Sequence, residues 1–258
     1  MFGIIASSRP HGGGLPPASS TQVNRQFDIN GWGGKKWGKY CLPDNTGNQY
    51  PVIIFFHGTG ETGNVEATLT KLDIHGPGHF LNLGTPMEFN HPVTGIPQRF
   101  IYLALQDQYW SPEMDWYKYV LQNDAVLAPR VDLNNVFATG LSAGGQQVEN
   151  GVTQSADNGN LVRGVVPMSS AAWSNNSPSQ IAYFSGKPVW GFHGNNGGGS
   201  DGTTPTAATT DFVTAFSGRY TNAPPTHSNW NNYYNPTYVE TIDGYSMGIF
   251  QWMAYKKI

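Results

Sequence analysis

The sequence predicts an α/β fold, a mostly parallel central sheet with helices on both faces. Two observations carry that expectation. Five apolar runs are uninterrupted by polar alternation: residues 51–58 (PVIIFFHG), 99–106 (RFIYLALQ), 134–140 (NNVFATG), 162–170 (VRGVVPMSS) and 187–194 (KPVWGFHG). Runs of this kind are strands buried on both faces, as parallel sheets require. Stretches of helical period lie between them, and strand–helix alternation covers such a sheet on both sides.

The elements follow in order. Residues 7–20 are rich in Ser, Gly and Pro, so a flexible segment is expected over residues 1–20 and one domain over 21–258. Residues 22–29 (QVNRQFDI) and 36–43 (KWGKYCLP) read as two antiparallel strands at a sheet edge. Residues 51–58 and 99–106 then supply central strands. Residues 115–129 form a helix with Trp116, Tyr119, Val120, Asn123 and Leu127 near one face, closed by Ala128-Pro129. A second helix, residues 142–156, follows the strand 134–140 directly. A third, residues 206–218, spaces Ala208, Phe212, Ala215 and Phe216 at helical intervals and stops on Gly218. Residues 237–242 (TYVETI) read as a late strand, and residues 245–257 as a closing amphipathic helix.

Composition narrows the function. The formal net charge is -3 with scattered Lys and Arg, which gives no footprint for nucleic acid. No run reaches the ~20 apolar residues of a membrane span. Charged residues make up 12% and aromatic residues 13%, a balance that suits polar loops and aromatic-lined surfaces on a rigid core. Cys41 is the only cysteine, so no intrachain disulfide forms. The first twenty residues lack the n-region and h-region of a signal peptide. The composition favours a secreted or periplasmic protein read without its leader; a cytoplasmic one is the alternative.

The strand 134–140 runs into Gly140-Leu141-Ser142-Ala143-Gly144 and then a helix. This G-x-S-x-G, between strand and helix, is the pattern that exposes a serine hydroxyl on a strained turn. A second copy, Gly244-Tyr245-Ser246-Met247-Gly248, has no His, Asp or Glu after it. A Ser, Asp/Glu, His chain order therefore selects Ser142 as nucleophile. A serine needs a base, and the base an orienting acid. His227, in a polar loop, is the expected base, and His193, at the end of an apolar run, is the buried or structural histidine. Asp201 is the expected acid; Asp211 falls on the next helix, and Asn195 or Asn196 is the non-carboxylate alternative. The oxyanion hole is expected from the N–H groups of Ala143 and of Thr59 in His57-Gly58-Thr59-Gly60. Glu61 and Asn64 lie nearby without an assigned role.

Taken together these blocks resemble the α/β-hydrolase esterases related to polyhydroxybutyrate depolymerases and to feruloyl and acetyl-xylan esterases (carbohydrate esterase family 1 and its neighbours). The likeness spans roughly residues 36–256. It includes YCLPDNTGNQYPVIIFFHGTGETGN, HGPGHF, FIYLALQDQYW, VDLNNVFATGLSAGG, KPVWGFHG and HSNWNNYY. The resemblance implies an α/β-hydrolase fold, Ser142 as nucleophile and His227 as base. It also implies a substrate cleft lined by Gln106, Trp110, Trp173 and Trp230. The acid departs from the pattern, because the position soon after His193-Gly194 reads NNGG; Asp201-Gly-Thr-Thr-Pro205 restores the spacing to the proline.

The implied reaction is acyl transfer through Ser142, with no metal or organic cofactor. The substrate is a feruloyl, acetyl or short-chain ester, with a polyester as runner-up. A non-catalytic carbohydrate-binding protein on a hydrolase scaffold is the reading of another class. Oligomeric state is left open.

Overall fold

The computed structural model describes residues 16–29, 34–170, 172–194, 207–223 and 229–258. In chain order its strands and helices are β1 (Val23–Asp28), β2 (Lys35–Cys41), β3 (Tyr50–Phe56), α1 (Gly76–Asn82), β4 (Glu88–Asn90), β5 (Pro97–Arg99), β6 (Ile101–Leu105), α2 (Met114–Asn123), β7 (Val131–Leu141), α3 (Ala143–Gln154), α4 (Ala156–Leu161), β8 (Val162–Met168), α5 (Pro178–Ala182), β9 (Trp190–Gly194), α6 (Ala207–Ala215), β10 (Arg219–Ala223), α7 (Trp230–Tyr234), β11 (Glu240–Ile242), β12 (Tyr245–Met247) and α8 (Ile249–Lys256).

One eight-stranded sheet runs in the order β1-β2-β6-β3-β7-β8-β9-β10. The β1–β2 and β2–β6 pairs are antiparallel, and every pair from β6 to β10 is parallel. All seven residues of β3 are buried, as an unbroken apolar run in a central strand requires. Alternation along β3 then feeds two cores. Val52, Ile54 and Phe56 pack with Tyr117 of α2, Val148 of α3 and Phe212 of α6 on one face. Ile53 and Phe55 pack with Phe80 of α1, Tyr234 of α7 and Trp252 of α8 on the other. Helices therefore cover both faces. Among the described residues no helix is long and apolar enough to cross a membrane.

The structure corrects several expectations. Residues 16–19 are docked, not loose: Arg99 donates to the Pro16 carbonyl, and the Ser19 N–H donates to Pro43 O at 2.7 Å. Residues 1–15 lie outside the described residues. The α2 helix stops at Asn123, six residues before Pro129, because the Asp124 carboxylate accepts the N–H groups of Val126 and Leu127 and folds the chain into a turn. Its buried face is Met114, Trp116, Tyr117, Val120 and Leu121, while Asn123 is exposed. After α6 the left-handed residue is Ser217 (φ 50), one before Gly218, whose N–H closes on Val213 O at 2.8 Å. Residues 219–223 form β10, a parallel edge strand that the sequence pattern does not announce. The late strand β11 is not part of the main sheet. It pairs with β12 across Asp243 (φ 51) and Gly244 (φ 83), both left-handed, as a two-residue hairpin needs. Ser246 sits on that hairpin, exposed.

One buried charge site weakens the fold as pH rises. Glu149, on α3, is completely buried, and burial pushes its carboxyl up to about 8, with Ser170 and Thr209 offsetting part of the cost and Asp211 adding to it. An unfolded glutamate releases its proton near 4.5. Between those values the folded state holds the proton and the unfolded state does not, so stability falls with rising pH by on the order of 1.4 kcal/mol per unit. Glu149→Gln, which mimics the protonated side chain, should therefore raise the melting temperature more at pH 8 than at pH 5. Equal shifts at the two pH values would show that Glu149 ionises normally in the folded protein.

Candidate active site

Close backbone contact builds the turn around Ser142. The side of α3 that follows Ser142 presses on the end of β3. A Cβ on Gly144 would lie 1.9 Å from Phe56 O, and one on Gly140 would lie 2.6 Å from Gly144 O. With no room for a side chain at either position, the chain turns sharply and Ser142 takes φ 55, ψ -122. For a residue with a Cβ that backbone is strained, at a cost of order 1–3 kcal/mol. Its N–H donates to Met168 O at 2.9 Å and its carbonyl accepts the Gln146 N–H at 3.1 Å, so β8 and α3 both hold it. The turn lies at the carboxyl ends of the parallel strands, where open α/β sheets carry their ligand sites.

The loop after β3 comes up against this turn. A Cβ on Gly58 would be 3.5 Å from the Ser142 Cβ. Thr59–Glu61 make a single 3-10 turn, in which Glu61 N–H bonds Gly58 O at 3.1 Å. The N–H groups of Thr59 and Gly60 are not used within that turn, just as that of Ala143 at the start of α3 is not used within its helix. Gly58, Thr59, Glu61, His75, Ser142 and Trp230 are among the residues that line one pocket of about 300 Å³, and Ile74 is another.

A buried polar frame holds the loop. Glu61 Oε2 accepts the Gly58 N–H at 2.7 Å, and Oε1 pairs with His75 Nδ1 at 2.8 Å. His57 is fully buried, with Nδ1 2.8 Å from Gly58 O and Nε2 accepting the Asp107 N–H at 3.1 Å. Those partners require a proton on Nδ1 and a lone pair on Nε2, the neutral form. Burial, the largest influence, lowers the pKa of the His57 ring in the same sense. Asp107 binds Lys36 at 2.8 Å, and the Lys36 ammonium lies 4.4 Å over the Trp116 ring. Desolvation opposes the charge on Asp107, but Lys36 and the loop N–H groups outweigh it and keep the carboxyl below its usual range.

Of the residues expected at the site, the structure brings Ser142, Thr59 and Trp230 to one pocket. Ala143 is buried directly behind Ser142. Gln106 corrects its expectation: it is fully buried, and its amide donates to the carbonyls of Glu61 (2.8 Å) and Thr68 (3.0 Å), so it braces the loop from behind. Trp173 packs on Phe212 and Phe216 beside α6, and Trp110 stands 38% exposed in the loop after β6; among the described residues neither lines the pocket. His193 is half-buried at the end of β9, with Nδ1 3.4 Å from Thr209 Oγ1. Asp211 lies on α6, exposed. His227, Asp201, Asn195 and Asn196 lie outside the described residues. In chain order Asp201 follows β9 and His227 follows β10. Sequence reasoning gave no role to Glu61 or His75. The signal for Glu61 was its place three residues after Gly58, where a carboxylate caps a helical turn.

No protein-family profile and no curated protein sequence matches the chain. Solved structures do. A thermostable esterase superposes with a TM-score of 0.56 at 15% identity, over 91% of this chain and 60% of that one. An esterase of Pyrobaculum calidifontis gives 0.52 at 14% identity, over 81% and 76%. The fluorophosphonate-binding serine hydrolase FphF of Staphylococcus aureus gives 0.50 at 11% identity, over 84% and 95%. The chain thus spans 60% of the length of the first of these. The fold is the α/β-hydrolase fold.

The contact between Gly144 and Phe56 O sets a clear expectation. Gly144→Ala should cost roughly 3 kcal/mol or more in urea unfolding. Gly60→Ala, where an added Cβ meets nothing within 4 Å, should unfold near the wild-type midpoint. Equal midpoints for the two variants would mean that the turn at Ser142 is packed more loosely than these distances imply.

Proposed function

We propose that the protein is a serine carboxylic ester hydrolase with Ser142 as nucleophile. The observation that carries this reading is the strained backbone of Ser142, set in a pocket that Thr59 also lines. A serine gains nothing structurally from φ 55 combined with ψ -122, where a glycine would cost less, so the strain argues for the hydroxyl. The fold it shares with two esterases and a fluorophosphonate-binding hydrolase supports the same reading.

His227 is the proposed base and Asp201 the acid that orients it; their order after β10 and β9 supports both. His227 takes the Ser142 proton as the hydroxyl oxygen bonds to the ester carbonyl carbon. The N–H groups of Thr59 and Ala143 stabilise the oxyanion. Collapse breaks the bond to the alcohol, which leaves with the proton from His227. A water then attacks the acyl-enzyme, with His227 again taking the proton, and the acid departs as Ser142 recovers its own. Among the described residues the pocket is about 300 Å³ with one indole on its wall, which favours a compact ester, of the short-chain, acetyl or feruloyl kind, over a polyester chain.

A fluorophosphonate probe should label the wild-type protein and the Ser246→Ala variant but not Ser142→Ala. Glycan binding by a wild-type protein that takes no label would favour the carbohydrate-binding reading instead. Asp201→Asn should lower kcat on 4-nitrophenyl acetate by roughly two to four orders of magnitude. Turnover near wild type would remove Asp201 from the triad.

A further inference from the structure

The pocket holds an acid–imidazole pair that the reaction above does not use. His75 Nδ1 pairs with Glu61 Oε1 at 2.8 Å, and the His75 ring stands nearly perpendicular to Trp230 with 5.1 Å between centres. All three residues line the pocket that contains Ser142.

The pair is fixed from several sides. Glu61 is held in turn by the Gly58 N–H at 2.7 Å, and its carboxylate is nearly closed to solvent, at 3% exposed. The backbone on either side of His75 is clamped by Asn231 of α7, whose Nδ2 donates to Ile74 O at 2.9 Å and whose Oδ1 accepts the Gly76 N–H at 3.0 Å. Gly76 has φ 71, and an added Cβ there would fall 2.5 Å from the Phe55 ring, so this turn rests directly on the core. An imidazole held by its carboxylate, its neighbouring ring and its own backbone is preorganised for a ligand.

The chemistry of the ring selects the ligand. A carboxylate only accepts, so Nδ1 carries its proton toward Glu61 whether the ring is neutral or charged. Nε2 is the ring's other polar atom, an acceptor in the neutral form and a donor in the cation. A hydroxyl both donates and accepts through one oxygen, so it pairs with Nε2 in either state.

We propose that His75 forms a hydroxyl-recognition subsite, in which Nε2 bonds a hydroxyl carried by the ester near its carbonyl and Trp230 covers the adjoining C–H surface. The subsite rests on the ester-hydrolase reading of Ser142. The hydroxyl belongs to the acyl part or to the alcohol part of the ester, and matched substrates separate the two. The acyl-side pair is 4-nitrophenyl 3-hydroxybutyrate and 4-nitrophenyl butyrate. The alcohol-side pair is glycerol monobutyrate and propyl butyrate.

For the wild-type protein, kcat/KM should favour the hydroxylated member of one pair. In His75→Leu that selectivity ratio should fall about tenfold, the worth of one good hydrogen bond. His75→Phe is the second variant should the first fold poorly, and His75→Gln should restore part of the ratio. A wild-type protein that hydrolyses plain esters with no hydroxyl preference in either pair overturns the subsite alone, as does a ratio that survives in the His75 variants. A wild-type protein that hydrolyses none of the four esters and leaves Ser142 unlabelled by fluorophosphonate overturns the ester-hydrolase reading and the subsite with it.

Discussion

The start of α3 lies against the carboxyl end of β3 with no side chain between them. A methyl group at Gly144 would overlap Phe56 O, and one at Gly140 would overlap Gly144 O. Bringing helix and strand backbones that close forces the turn at Ser142 and lifts its side chain out of the sheet. The same approach brings Gly58 beside Ser142, with room for little more than a methyl group between them, so the loop after β3 and the turn after β7 line one pocket. Everything else in the site is arranged around that contact.

Such a pocket is useful only if that loop stays still. Residues 57–63 are a short loop rich in glycine and have little core of their own. Rigidity is supplied by polar groups from distant segments. Gln106 and Asp107 reach in from the end of β6, with Gly63 N–H on Asp107 O at 2.8 Å; Lys36 steadies Asp107, and His75 steadies Glu61. These bonds are wholly or partly shielded from water, which strengthens them and makes an unmade one expensive. A neutral His57 fits this frame, because a cation there would lack an acceptor on Nε2.

Much of this was legible in the sequence. Central strands with unbroken apolar runs announced themselves, as did the order of strand, Ser142 and helix. The failures have physical reasons. β10 (RYTNA) is an edge strand with partly exposed residues, so it lacks the apolar signature of its neighbours. Val126 and Leu127 keep the helical period of α2, but the Asp124 side chain had already ended the helix by local hydrogen bonding. Gln106 illustrates a more general limit. A polar residue at a strand end belongs equally well to a cleft wall or to its backing, and only the positions of Glu61 and Thr68 decide. Trp173 is a similar case, since an indole suits a cleft and a helix interface alike. Glu61 and His75, fourteen residues apart, become partners only once the chain between them has folded back.

The closeness of Gly144 to Phe56 also bears on how such a protein can change over generations. A position that admits a single residue type offers selection nothing to vary, so the turn cannot drift toward a new substrate. The rim is different. Ile74, on the pocket wall, is 48% exposed. Novelty in this scaffold therefore enters from the margin inward, with the reactive turn inherited whole and the surrounding loops free to diversify.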